Sequence, residues 1–126
     1  MERNTKQRHA IRHALEKAGR PLSPQELLAA SQESVPGLGI ATVYRAINSL
    51  LEEHEIVEVP LPGGIARYGT VPSEHHHHFL CRSCDKVYEV AHCPVDIRQG
   101  IPKGFKVEGH DLTITGLCAT CVKAGK

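Results

Sequence analysis

The sequence predicts an α+β fold, with an N-terminal winged helix-turn-helix followed by a small α/β dimerisation domain that has a four-cysteine zinc site. Three observations support this fold class. Three segments with helical periodicity come first, two short strand patterns follow them, and two Cys-x-x-Cys pairs lie further along the chain. We expect the winged-helix domain at residues 1–70, a hinge at 71–73 and the metal-binding dimerisation domain at 74–126.

Three helices are predicted in the first domain. Residues 5–18 repeat apolar side chains at helical spacing until Gly19. Ser23-Pro24-Gln25-Glu26 then has an N-cap serine, a proline at the first helical position and a glutamate three residues after the cap, which together form a capping box. The third helix, about residues 40–54, has an apolar face made of Ile40, Val43, Ile47, Leu50 and Leu51.

The opposite face of the third helix is suited to reading DNA. Thr42, Tyr44 and Arg45 lie near its N-terminal end, as in a helix that enters a major groove. An ordinary surface helix would show a similar pattern, so the residues after the helix are needed to distinguish the two interpretations. Ile56–Val59 and Ile65–Tyr68 are strand patterns on either side of a turn-rich segment, and such a hairpin would place Arg67 along the phosphate backbone.

Charge is distributed unevenly along the chain. The total is nearly balanced, with 15 Lys and Arg against 14 Asp and Glu. Residues 1–20, however, hold six basic and two acidic side chains, and Arg8 is among the basic ones. This predicts a basic N-terminal arm near DNA. The sequence has no apolar run long enough for a signal peptide or a membrane span, so we expect no membrane partner.

The two cysteine pairs predict a structural Zn(II) site. Each Cys-x-x-Cys turn presents two sulfurs, and about 34 positions separate the pairs, as in zinc ribbons. The four predicted ligands are Cys81, Cys84, Cys118 and Cys121. Since the chain has five cysteines, an odd number, metal binding in a reducing compartment is favoured over a disulfide framework, and we expect a cytoplasmic protein.

Four consecutive histidines precede the first cysteine pair. On a strand, His75 and His77 would face one way and His76 and His78 the other, so the run could serve two metal sites. A solvated polyhistidine is the alternative. Further strands are expected at Lys86–Val90, Phe105–Val107 and Leu112–Thr115, with a linker or short helix around Pro94–Gln99. This half is small enough to need its zinc and a dimer partner.

The sequence resembles the ferric uptake regulator family of bacterial metal-sensing repressors. Gly39-Ile40-Ala41-Thr42-Val43-Tyr44-Arg45 is similar to the family's recognition-helix signature, residues 75–84 to its histidine strand and first zinc turn, and residues 116–121 to its second. The resemblance implies a homodimer that binds a palindromic double-stranded DNA operator. It also implies a regulatory metal near the hinge that fixes the angle between the two halves.

The resemblance also implies two further metal sites. The hinge sensor would use His76, His78 and Glu89, with Glu58 as the candidate from the winged-helix domain. A second site would use His75, His77, Asp96 and His110. The hinge site departs from the family pattern, since Pro21 and Gly69 stand where iron-type members often have a histidine and an acidic residue. Peroxide-sensing members have an aspartate where Glu89 stands, so that branch is disfavoured.

Several alternatives stay open. Cys93 is interpreted as an extra ligand, a redox-sensitive thiol or a small buried side chain. Imidazole and carboxylate ligands suit Zn(II), Fe(II) and Mn(II), and the missing histidine favours zinc slightly. The predicted function is a metal-dependent repressor of metal-homeostasis genes that senses Zn(II) or Fe(II). The alternatives are a peroxide-responsive regulator and a non-sensing winged-helix module with structural zinc only. An enzyme is disfavoured because the chain leaves no room for a substrate domain.

Overall fold

The chain forms two compact units, Met1–Ser73 and Glu74–Lys126. This computed structural model describes residues 2–71, 77–94, 96 and 98–126. The predicted hinge at 71–73 therefore lies mostly outside the described residues, as do His75 and His76.

Three helices build the first unit: α1 (Glu2–Ala18), α2 (Pro24–Ser31) and α3 (Ile40–Glu52). The capping box is present, since the Glu26 amide donates to Ser23 Oγ at 3.1 Å and the Ser23 amide to Glu26 Oε1 at 3.1 Å. Burial alone would raise the pKa of Glu26, but hydrogen bonds from the Arg20 side chain and the Ser23 backbone lower it. Gly19, at φ 64°, ends α1.

The core of the first unit lies between the three helices and the wing. Its members are apolar side chains from all three helices and both wing strands, and the largest of the fully buried ones are Ile11, Leu15, Leu27, Ile47 and Leu50. Ile40 was expected in this core but is 38% exposed. As the first residue of α3 it lies at the edge of the apolar face, and Ala46 is buried in the core instead.

The wing is shorter than predicted. Strands β1 (Ile56–Glu58) and β2 (Tyr68–Thr70) pair antiparallel, with Ile56 opposite Thr70 and Glu58 opposite Tyr68. The second strand thus starts at Tyr68, where the predicted strand Ile65–Tyr68 ends. A single 3-10 turn at Pro62–Gly64, with Gly63 at φ 78°, occupies part of the connection. The prediction was wrong here because apolar content alone does not set a hairpin's register.

The described residues of the second unit form a three-stranded sheet and a short helix. Strands β3 (His77–Cys81), β4 (Val87–Val90) and β5 (Thr113–Gly116) take the order β4-β3-β5, antiparallel on one side of β3 and parallel on the other. Helix α4 (Ala119–Lys123) follows. The strand expected at Phe105–Val107 is absent from the described residues, where that segment is irregular and Phe105 is 71% exposed. Between Pro94 and Gln99 the described residues form no helix.

Candidate metal centres and DNA-binding surface

The two cysteine pairs meet because β3 and β5 run parallel. Cys81 ends β3 and pairs in register with Gly116 at the end of β5, so the turn after each strand lies at the same edge of the sheet. Asp85 closes the first turn with φ 61°, and its amide donates to the Cys81 carbonyl at 2.9 Å. A Cβ at Gly116 would come within 3.2 Å of the Phe79 ring, so a larger residue there would require that ring to shift.

The four sulfurs have the spacing of a tetrahedral zinc site. The ligand atoms of Cys81, Cys84, Cys118 and Cys121 all lie within 4.8 Å of one another, and Cys84 Sγ is 3.9 Å from Cys118 Sγ. Zn–S bonds of about 2.3 Å in a tetrahedron give sulfur pairs about 3.8 Å apart. The residues therefore fit a four-thiolate zinc ion.

Hydrogen bonds from backbone amides lower the pKa of two of these thiols, whereas burial raises the pKa of a third. Amide hydrogen bonds, first from the Cys84 backbone and then from that of Cys118, lower the pKa of Cys81 to about 6. Cys118 also has a lowered pKa, through the Cys121 backbone and the Tyr88 hydroxyl. Burial raises the pKa of Cys121 to about 11. A metal that binds all four thiolates must therefore displace a tightly held proton.

A second cluster joins His77, His110 and Cys93. His77 is only 2% exposed at the start of β3, and its Nε2 lies 3.0 Å from His110 Nε2. Cys93 Sγ lies 3.4 Å from the same His110 nitrogen. The three ligand atoms are close enough to bind one ion.

Asp96, the predicted carboxylate of this site, is not in the cluster. Its Oδ1 accepts from the Arg98 amide at 3.0 Å and from Arg98 Nε at 3.3 Å. Among the described residues Cys93 is the third member instead. His75, the remaining predicted ligand, lies outside the described residues.

His78 has a separate partner. It lies opposite Glu89 across the β3–β4 pair, with 3.3 Å between His78 Nε2 and Glu89 Oε2. The two described histidines of the run thus contact different groups, as alternation along a strand requires. The predicted partner His76 lies outside the described residues. Glu58, the fourth predicted hinge ligand, is exposed on β1 of the first unit.

The exposed face of α3 has the side chains predicted to contact DNA. Tyr44 is 44% exposed, and Arg45 Nη2 donates to Thr42 Oγ1 at 2.9 Å. Thr42 and Arg45 line a groove with Thr5 and Arg8 of α1. Arg67 directly precedes β2, is half-buried and donates to the Ala66 carbonyl at 2.9 Å.

Arg8 forms ion pairs within the first unit. Its Nη2 lies 2.7 Å from Glu55 Oε2 and also contacts Glu53, and Arg12 contacts Glu55 as well. These pairs tie α1 to the segment between α3 and β1. A DNA phosphate that binds Arg8 would have to compete with the carboxylates of Glu53 and Glu55. These ion pairs were not predicted from the sequence.

The sequence profile of the Ferric uptake regulator family matches residues 2–115. The chain belongs to this family. A ferric uptake regulation protein of Campylobacter jejuni is 30% identical over 122 residues, which cover 93% of this chain and 78% of that protein. The predicted family is therefore confirmed, and with it the function of a metal-dependent, DNA-binding transcriptional regulator.

Solved structures of ferric uptake regulators share this fold. The Helicobacter pylori regulator Fur, described as having three functional metal-binding sites, superposes with a TM-score of 0.71 at 29% identity, covering 93% of this chain and 80% of that one. A zinc-bound manganese uptake regulator gives a TM-score of 0.78 at 28% identity, covering 89% and 87%. The predicted fold class is confirmed.

One residue at the cysteine site was not identified from the sequence. Tyr88 is not a ligand, but its hydroxyl hydrogen-bonds Cys118 from β4. Such partners orient metal ligands and affect their basicity. Its position opposite Phe79 could be inferred only from the β3–β4 register. In the described residues no helix is long and apolar enough to cross a membrane.

Proposed function

We propose that this chain is a cytoplasmic, homodimeric repressor of metal-homeostasis genes that binds a palindromic operator when a regulatory metal is bound. The observation that supports this most directly is the exposed face of α3, where Thr42 orients Arg45 in a groove also lined by the basic helix α1. Arg45 would contact a base edge, and Tyr44 and Arg67 would contact the phosphate backbone. The proposed activity is binding rather than catalysis.

Three metal sites are proposed, and most of their ligands come from the second unit. The four cysteines would hold structural Zn(II). His78 and Glu89 would supply the hinge sensor together with His76 and with Glu58 from the first unit, and the pairing of His78 with Glu89 supports this. His77 and His110 would belong to the second site.

Exposed apolar side chains support a dimer. Ile101, Phe105, Val107 and Val122 of the second unit are all exposed, although its buried cluster consists of three cysteines. Three of the four come from the single loop between β4 and β5, and a contiguous apolar patch on a surface is typical of an interaction site. A second copy would bury them.

The regulatory metal would act by selecting one arrangement of the two units. If it binds the DNA-competent arrangement more tightly, DNA affinity rises by the ratio of the two metal affinities and no further. The relatives include an iron regulator and a zinc-bound manganese regulator by name. The donors allow Zn(II) or Fe(II), and Mn(II) as well, and the absent N-terminal histidine still favours zinc slightly.

DNA affinity as a function of free metal tests the proposal. Protein that keeps one zinc per chain is titrated anaerobically with Zn(II), Fe(II) and Mn(II) in turn, while anisotropy reports binding to its own promoter DNA. We expect one metal to raise the affinity, and His78→Ala to abolish the rise while His13→Ala, an exposed histidine on α1, preserves it. Equal affinity with and without every metal would leave only a winged-helix module with structural zinc.

Arg45→Ala tests the DNA-reading face. Each well-placed contact to a base contributes about 1–3 kcal/mol of discrimination, so specific binding should weaken roughly 5–150-fold. Lys17→Ala, which removes an exposed basic residue from the last turn of α1, is the matched control. Specific binding by Arg45→Ala that equals the control would refute the assignment.

A further inference from the structure

The most informative cluster outside the four-cysteine site is that of His77, Cys93 and His110. Its members come from three separate segments: the start of β3, the loop after β4 and the loop before β5. One is buried, one is half-buried and Cys93 is exposed, so the cluster opens to solvent on the thiol side. We propose that Cys93 is a metal ligand at this site, in place of the expected carboxylate of Asp96, and that the site therefore takes Zn(II) in preference to Fe(II) or Mn(II).

The distances fit a tetrahedral ion. Zn–N bonds of about 2.0–2.1 Å and a Zn–S bond of about 2.3 Å give tetrahedral edges of about 3.3 Å between nitrogens and about 3.6 Å between sulfur and nitrogen. The observed distances are 3.0 Å for His77 Nε2 to His110 Nε2 and 3.4 Å for Cys93 Sγ to His110 Nε2. Small outward movements would admit the ion. Three protein donors leave a fourth position for water or another ligand.

The alternative for this cluster is a hydrogen-bonded group that needs no metal. A distance of 3.0 Å between two ring nitrogens also suits one imidazole that donates to another. Ring orientation does not separate the two cases, since the planes are inclined at 39°. Adding a metal distinguishes the metal site from the hydrogen-bonded group. Only a bound ion would be coordinated by the Cys93 sulfur and by both imidazole rings at once.

The thiolate sets the class of metal. Carboxylate oxygens suit Mn(II), and imidazole binds all three candidate metals. Thiolate sulfur favours softer ions, and of Zn(II), Fe(II) and Mn(II) it favours Zn(II). Asp96 Oδ1 accepts hydrogen bonds from the backbone amide and from Nε of Arg98. Both bonds would have to break before this oxygen could bind a metal at the cluster. A site of two imidazoles and one thiolate thus discriminates against the metals that a carboxylate would admit. This inference deepens the proposed function by naming the metal of one site, and its test does not involve DNA.

Cobalt(II) provides the test, since thiolate ligation gives a near-ultraviolet charge-transfer band and tetrahedral geometry gives intense visible bands. Full-length protein with one zinc per chain in the cysteine site is titrated with Co(II), and zinc content is measured before and after. We expect both sets of bands, with one cobalt per chain giving the charge-transfer band, since the hinge site has no thiolate. Cys93→Ser should lose the charge-transfer band and weaken cobalt binding by at least the roughly 10–100-fold that loss of an outer partner of a metal ligand costs. His110→Ala should weaken it similarly.

Two variants distinguish the thiolate from the carboxylate. Asp96→Asn should bind cobalt with the wild-type spectrum. Cys93→Asp should bind without the charge-transfer band, and its preference for Zn(II) over Mn(II) in competition should be smaller than that of the wild type. The proposal is overturned if Cys93→Ser keeps the band while its structural zinc is retained, or if Asp96→Asn loses cobalt and Cys93→Ser does not. Either result leaves the metal-dependent DNA binding of the proposed function to be judged by its own titration.

Discussion

The two units of this chain are stabilised by different means. The first buries large aliphatic side chains from three helices and the wing, Ile11, Leu27 and Ile47 among them. The buried cluster of the second consists of Cys81, Cys118 and Cys121, with Tyr88 and Leu117 packed against it. A small sheet with so few apolar side chains cannot offset the entropy of ordering its loops. The first unit therefore depends on packing and the second on its metal.

The largest effect should follow from removing a zinc ligand. Cys81→Ser should release the zinc and unfold the second unit, since structural zinc supplies about 10–16 kcal/mol of apparent binding free energy at pH 7. The first unit should keep its helices. Amide NMR spectra and analysis of protein loaded with one zinc per chain measure both effects, and Cys93→Ser, which alters a cysteine outside the four-cysteine site, should keep that structural zinc. A Cys81→Ser chain with dispersed resonances from β3 to β5 would break the comparison.

Acid should separate the two units. Zinc binding must keep Cys121, with its pKa raised to about 11 by burial, deprotonated, so zinc is lost as pH falls. Glu26 has a lowered pKa, so its stabilising contribution to the first unit is present above the unfolded pKa and disappears only as pH falls through the lower folded value. The second unit should unfold at the higher pH. NMR signals from both units during an acid titration report the order, and simultaneous loss would contradict it.

A cavity in the helical core should affect the first unit alone. Ile47 is 1% exposed, and Ile47→Ala should cost about 2–5 kcal/mol of its free energy of unfolding. Ile40→Ala, on the exposed end of the same helix, should cost much less. Denaturant unfolding followed by helical circular dichroism gives both values, with zinc content unchanged. Equal costs would place Ile40 in the core.

The smallest effect concerns the capping box. Ser23→Ala removes the oxygen that accepts from the Glu26 amide and should cost about 0.5–2 kcal/mol in the first unit. Ser34→Ala, an exposed serine beyond α2, is the matched control and should be nearly neutral. Denaturant midpoints compare them. A drop in zinc affinity with Ser23→Ala would show that the units share stability.

The structural features that the sequence predicted correctly are those set by neighbouring residues. The capping box at Ser23 and the helix from Ile40 depend on residues within a few positions of each other, so the sequence predicted them. The second wing strand was placed too early, because apolar side chains do not specify which residues pair across a turn. The prediction of a strand at Phe105–Val107 was wrong because alternating apolar residues also occur on exposed loops, where no neighbouring strand pairs with them.

The sequence by itself determined the residue types and spacings: helices with one apolar face, two cysteine pairs, and histidines that alternate along a strand. Only the tertiary structure decided which distant groups meet. The parallel pairing of β3 with β5 brings Cys81 to Cys118, and it brings His77 to His110. The loop after β4 brings Cys93, rather than Asp96, to those histidines. Ligand spacing along a chain sets what is possible, but strand pairing and loop path set the distances between atoms, and a metal responds to those distances.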